Sequence, residues 1–442
     1  MVYMRGRPSD YKNWEKEIND EYWNWENILN SYVDIEGNQR LNNKYHGISG
    51  PLKVSDPMYV VKGTDLYIKT MQGLGLPFNS DFNDGDQYGV GLMQLTTNYG
   101  KRCSAVDAFI DPIKNNKKLK IKLKSIVTRV IINNNKAIGV EVYENGKINK
   151  YYSNNEVIIC AGTYISPKIL MHSGIGDENE LKSNNIKTLI NLKGVGKNLQ
   201  DHHEVPYVVA TKKGFGYFKQ DKGIKKIING LQYILFNSGP VTSNAAETCA
   251  FLNPVDLNDS KDPPIKLYCV QIMYTDRDTK DIKPSHGLTL TSCILNPKSR
   301  GDVKLKSSNP LDLPSINPNF LSDKEDLSLM VESVKFARDV VNSKPLSDIV
   351  INETLPGKDI KSQIELENYC KRTVKTNWHP VGTCKMGKEN DPYAVLNKNL
   401  QVYGIDKLRV FDVSMMPKLV SGNTNAPAMA IANHATNILL ND

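Results

Sequence analysis

The chain has 442 residues, 40% of them hydrophobic and 24% charged, with a net charge of +8 that comes mainly from lysine. That length buries a large core and implies more than one lobe, while no apolar run approaches the roughly 18 residues a membrane-crossing helix needs. The polar start, MVYMRGRPSDYKNWEKE, lacks the character of a secretory leader, so an intracellular site is expected.

Residues 15–33, rich in Trp, Tyr and Glu, predict an amphipathic helix, Tyr45 to Leu52 a turn, and 60–74 a second helix. Asp81 to Gln94 reads as a loop entering a strand, and Gly100 to Ala105 opens a helix that Pro112 ends. From Lys118 on, the lysine cluster 114–124 alternates basic and apolar residues, the period of a strand with one solvated face. Aromatic residues do not interleave it, so no nucleic-acid partner is expected, and no membrane partner either. Strands are predicted over Leu119–Leu123, Val127–Ile132, Ala137–Glu144 and Glu156–Cys160, with Asn133–Asn135 as a hairpin turn.

The buried-strand run Val157 to Gly162 leads into Gly162–Gly176, where glycine and Ser166 suit a tight strand-to-helix turn with Pro167 near the first helical position. Such a helix start offers free N–H groups to a phosphate or a flavin. His202 and His203 invite a metal reading, but adjacent histidines face apart and no carboxylate pattern accompanies them. Residues 205–375 read as alternating strands plus a helix at Lys324–Asn342, with Ser299–Val303 as a hairpin; 214–285 is the least patterned stretch. The seven scattered cysteines contain no Cys-x-x-Cys, so neither a disulfide framework nor zinc is indicated.

Two C-terminal segments read as one site. The first holds His379 between Trp378 and Pro380, followed by a loop punctuated by Gly382 and Gly387. The second is a short apolar strand, Leu408 to Phe411, ending at Asp412, then a loop with Ser421, Gly422, Asn423 and Asn425 and a helix starting near Pro427. Histidine is the side chain suited to moving a proton near neutral pH, and α/β enzymes present such groups at the carboxyl edge of a sheet.

The wording of His379-Pro-Val-Gly-Thr-Cys-Lys-Met-Gly387, of Asp412-Val-Ser-Met-Met-Pro417 with Ser421–Pro427, and of Gly162–Gly176 resembles the signatures of the glucose–methanol–choline (GMC) oxidoreductases, FAD-dependent alcohol oxidases and dehydrogenases. The resemblance runs from Met1 to about Leu440. It implies a mixed α/β (α+β) chain with a doubly wound FAD-binding sheet and an antiparallel-sheet substrate lobe. The divisions it implies are 1–99 for flavin attachment and part of the substrate lobe, 100–176 for the FAD-binding domain, 177–403 for the substrate-binding domain and 404–442 for a C-terminal FAD-binding segment. By the same resemblance His379 is the base taking the alcohol proton, with Asn423 as its partner. Val127, Trp378, Asp412, Val413, Asn425 and Pro427 would contact FAD.

A G-x-G-x-x-G nucleotide loop, expected of such a flavoprotein, is absent: none of the Gly-x-Gly pairs at 73, 89, 174, 194 or 214 completes it. The sequence therefore predicts a truncated, inactive remnant with weak or lost FAD binding. The strands at Val157 and Leu408 should then flank an empty slot. Two alternatives stand beside it: an active enzyme on a small-molecule alcohol, completed in trans or from upstream by an N-terminal fragment, and a non-catalytic structural or binding protein.

Overall fold

A computed structural model describes residues 1–274 and 282–441; residues 275–281, inside the poorly patterned stretch, lie outside the described set. The helix expected over 15–33 is two helices. Pro8 sets the first turn of α1 (Pro8–Ile18), which stops where Asn19 turns left-handed at φ 59°. Helix α2 (Trp25–Ile35) starts afresh from Asn24, whose side chain accepts from the Asn27 backbone. The helix expected at 60–74 is α3 (Lys62–Gly73), and strand β1 (Gly89–Leu92) follows the Asp81 loop.

The alternating lysine run does not make a strand. Ile121 and Leu123 are 55% and 80% exposed, and residues 119–125 join no β-ladder in the described structure. Alternation yields a strand only where a neighbour takes its backbone groups. The available neighbours, Ile126–Asn133, Lys136–Glu144 and Lys147–Tyr152, instead close a three-stranded antiparallel sheet among themselves. The expected hairpin turn is there: Asn134 and Asn135 hold left-handed φ values of 49° and 56°.

Strand β2 (Val157–Ile159) runs into α4 (Gly162–His172). The large sheet is built from β3 (His203–Thr211), β4 (Ala246–Leu252), β5 (Ile265–Val270), β6 (Gly287–Ile294) and β7 (Val350–Leu355), in the order β7-β3-β6-β5-β4-β1, with Lys375–Thr376 also on β3. Every neighbouring pair is antiparallel. Helix α5 (Gly223–Phe236) falls in the unpatterned stretch, α6 spans Lys324–Asn342 as predicted, and α7 covers Gln363–Thr373. Asp302–Lys304 is not the turn of a local hairpin; it pairs with Ser315–Asn317.

Period-two alternation gives this sheet two faces. Ile265, Leu267 and Cys269 of β5 pack with α3, α6 and α7, in one core with Tyr67, Met330 and Leu366. Tyr268 and Val270 point the other way, into a second cluster with Phe251, Cys293 and Met4. Lys266 shares that second parity, which turns it away from the helical layer.

The last strand, β8 (Leu408–Val410), lies parallel to β2 with Leu408 opposite Val157 and Val410 opposite Ile159, and leads through Asp412 to α8 (Asn425–Asn441). The two strands expected to flank an empty slot are thus direct hydrogen-bonded partners. A third core, with Trp14, Ile28, Leu170, Val410 and Ile431, joins α1, α2, α4 and α8 around them. The architecture is mixed α/β, as expected.

Candidate active site

The carboxyl ends of β2 and β8 are tied together by Asp412. Its Oδ2 accepts from the Gly162 backbone at 2.9 Å and from the Ser166 hydroxyl, and its Oδ1 accepts from the Ser414 backbone at 2.8 Å. Pro167 is not at the first helical position; α4 begins at Gly162, so the proline sits inside the helix. Lacking an N–H, it cannot donate to the carbonyl four residues back. That carbonyl, on Thr163, accepts instead from the Thr383 hydroxyl at 2.5 Å, while the Thr163 hydroxyl donates to the Pro380 carbonyl at 2.6 Å. The carbonyl that Pro167 leaves free is therefore one of the points that moor the histidine loop.

His379 is buried, and its backbone N–H donates to Asp201 Oδ1 at 3.0 Å. Thr376 donates to the other oxygen of the same carboxylate. Burial raises the Asp201 pKa to about 6. The preceding Trp378 holds φ 64° and is 83% exposed, so the chain turns sharply and leaves the tryptophan outside while the histidine goes inward.

A directed hydrogen-bond chain fixes the histidine. The Leu295 carbonyl can only accept, so His202 carries its proton on Nε2, 3.1 Å away. His202 Nδ1 is then an acceptor, and His379 must donate to it from Nδ1 at 2.8 Å. His379 Nε2 is left bare and accepts from Asn423 Nδ2 at 3.0 Å. The amide oxygen of Asn423 accepts from Lys266 Nζ at 2.7 Å, closing the chain with a group that donates.

Electrostatics favour the same state. Burial, helped by His202 and Lys266, pulls the His379 pKa well below the usual imidazole value, and burial takes His202 to about 3. Both rings are neutral near pH 7. Lys266, fully buried, has its own pKa lowered by desolvation. It finds no carboxylate among the described residues; its ammonium lies 4.4 Å from the Tyr268 ring centroid and 5.3 Å from that of Phe251. The arrangement presents an unprotonated imidazole nitrogen beside an amide, the equipment for taking a hydroxyl proton.

Of the residues singled out from sequence, His379 and Asn423 meet, and Asp412, Val413, Asn425 and Pro427 gather in the β8–α8 connection. Asn425 is exposed and Pro427 buried. Val127 is half-buried on the three-stranded sheet and packs against the same core as Val410 and Ala426. Sequence reasoning missed Asp201, His202 and Lys266. His202, set aside as a metal ligand, belongs to the site as the acceptor for His379. The one signal in the sequence was the His202–His203 pair itself.

The comparisons place this fold and site in a known family. The chain belongs to the GMC oxidoreductase family: the N-terminal family model matches residues 1–204 and the C-terminal one residues 297–432. It is 36% identical over 447 residues to an alcohol dehydrogenase [acceptor] of Pseudomonas putida, an alignment covering 100% of this chain and 79% of that protein. It is 32% identical to the mitochondrial choline dehydrogenase of Homo sapiens, covering 99% of this chain and 73% of the other. Formate oxidase from Aspergillus oryzae RIB40, solved to follow its FAD modification, superimposes with a TM-score of 0.89 at 26% identity, over 99% of this chain and 82% of that one.

These matches overturn the reading of the chain as an inactive remnant with lost FAD binding. The N-terminal family model matches residues 1–204 and an alcohol dehydrogenase aligns along the whole chain, while β2 and β8 pair directly and His379 meets Asn423.

Proposed function

We propose that the chain is an active FAD-dependent oxidoreductase acting on the CH–OH group of a small-molecule alcohol. The observation that carries this is the one-way hydrogen-bond chain from Leu295 to Lys266, which leaves His379 Nε2 unprotonated beside Asn423.

The residues present fit a flat cofactor. At the start of α8 the small side chains of Ala428 and Ala432, with Asn425, line an open groove that continues to Ala105 and Phe109. Asp412, Val413, Asn425 and Pro427 would hold the flavin ring from the β8–α8 connection, and Trp378 and Val127 are the further contacts that family resemblance supplies. Bound there, FAD would supply the hydride acceptor. Everything else falls to the chain itself: Asn423 donates to the substrate oxygen or to His379, His379 Nε2 takes the hydroxyl proton, and His202 holds the ring in the tautomer that allows it. Burial keeps competing water away from the pair.

General-base catalysis contributes on the order of 10²–10⁴-fold. His379→Ala should therefore lower the anaerobic rate of alcohol-dependent bleaching of added FAD by at least about 10²-fold, while FAD uptake, read from its visible absorbance, stays unchanged. Failure of the unmodified chain to take up FAD, or bleaching that ignores His379→Ala, defeats the proposal.

A further inference from the structure

Helix α5 is mounted with its apolar side outward. Ile224, Ile227, Ile228, Leu231, Ile234 and Leu235 recur at the three-and-four spacing of one helical face, and each exposes at least 52% of its surface. Phe236, at 72%, extends that face. The polar side is the one turned to the protein: Asn229 donates to the Gln220 carbonyl at 2.8 Å, and Gln232 lies against Gly239. No residue of the helix is buried. In a water-facing helix this is inverted amphipathicity, and a contiguous apolar patch of this kind marks an interaction surface.

The surroundings say what covers it. Residues 212–226 hold six lysines (212, 213, 219, 222, 225 and 226) against the single Asp221, a net +5. Lys213, Lys219 and Lys225 come close enough to act together on His286. From 222 to 246 the sequence has no Asp or Glu. A second copy of the chain would bring the same cationic rim and no complement to it. An anionic lipid surface offers both partners at once, acyl chains for the isoleucines and phosphates for the lysines. At 14 residues the helix is too short to span a bilayer, and no described helix is long and apolar enough to do so.

The geometry points to α5 as an interfacial anchor that lies in the plane of an anionic membrane surface, its apolar face sunk to the headgroup–acyl boundary. This reverses the sequence-based expectation of no membrane partner, and it does not depend on the catalytic reading above.

The test is co-sedimentation of the full chain with phosphatidylcholine vesicles, with and without phosphatidylglycerol. The chain should bind the mixed vesicles about tenfold or more tightly than the neutral ones, and lose the preference in high salt. The double variant Ile227→Asp/Leu231→Asp should weaken binding to the mixed vesicles by at least about tenfold, with an unchanged circular dichroism spectrum because both side chains are already exposed. Lys225→Glu/Lys226→Glu should remove the anionic preference and leave the remaining affinity for neutral vesicles. Absence of vesicle binding by the unmodified chain, or undiminished binding by the aspartate variant, overturns the proposal. So does a dimer in analytical ultracentrifugation that the aspartate variant dissolves, which would assign the face to a second copy.

Discussion

Burying Lys266 takes an ammonium group out of water beside two aromatic rings and a neutral amide, with no carboxylate near it among the described residues. Desolvation of an unpaired charge is a net loss for folding. What it gives the site is orientation: by donating to Asn423 Oδ1 it turns the amide N–H toward His379. Lys266→Met, close in volume and apolar, should leave Tm equal or higher. It should lower kcat for a neutral alcohol by about tenfold, the loss of one hydrogen bond to a charged group, with KM little changed. A positive charge beside the base also disfavours a cationic alcohol. The same variant should therefore raise the relative kcat/KM for choline over a neutral primary alcohol. A variant with lowered Tm, or with the choline ratio unmoved, would show that Lys266 is packing and nothing more.

At the scale of elements, α4 and the histidine loop are joined through a carbonyl that Pro167 leaves free. Thr383→Val removes a hydroxyl donor to that buried Thr163 oxygen and should cost about 1–3 kcal/mol of stability. Pro167→Ala restores an N–H that can reach the same oxygen along the helix. The double variant should recover part of that loss, a coupling visible in denaturant melts; simple additivity would break the link between proline and threonine. Sequence shows such relations unevenly. The 3.6-residue period made Lys324–Asn342 legible to the residue, because that helix buries one stripe, Met330, Val334, Ala337 and Val341, against the sheet. Periodicity failed for the lysine run, whose two-residue alternation found no neighbour to pair with, and for α5, whose stripe faces solvent in a stretch read as strands. His379 and Asn423 were legible from wording alone. Their connection to His202 and Lys266 was not, since those residues lie 177 and 157 positions away along the chain, and only the packing of β3 and β5 against the histidine loop and the β8–α8 connection brings them in.

For the whole molecule, the same burial that prepares the base sets the response to acid. Six of the seven histidines have lowered pKa values, burial being the leading cause each time: His202 to about 3, His172 and His203 to about 4, and His286, His379 and His434 in the same direction. A histidine held below its unfolded value of 6.5 gives folding its full contribution above that pH and loses it as the pH falls toward the folded value. Two groups run the other way. His46, raised despite burial by its bonds to Asp81 and Glu36, contributes below 6.5 and loses its effect as pH rises through its folded value. Asp201, raised to about 6, favours the folded state most below 3.8 and less as pH climbs to 6. Asp201 therefore offsets the buried histidines only under about pH 6, and one carboxyl against six rings leaves Tm falling as the pH drops below 6.5. His203 isolates the effect. Neither of its ring nitrogens has a described partner, and its ring packs edge-on against Phe320 at 4.7 Å. His203→Phe thus removes a titration without removing a hydrogen bond. Its Tm should match or exceed that of the unmodified chain at pH 7.5, and its decline between pH 6.5 and 5 should be shallower. A decline of equal slope in the two proteins would mean that His203 takes on its proton without opening the core, and that acid acts elsewhere.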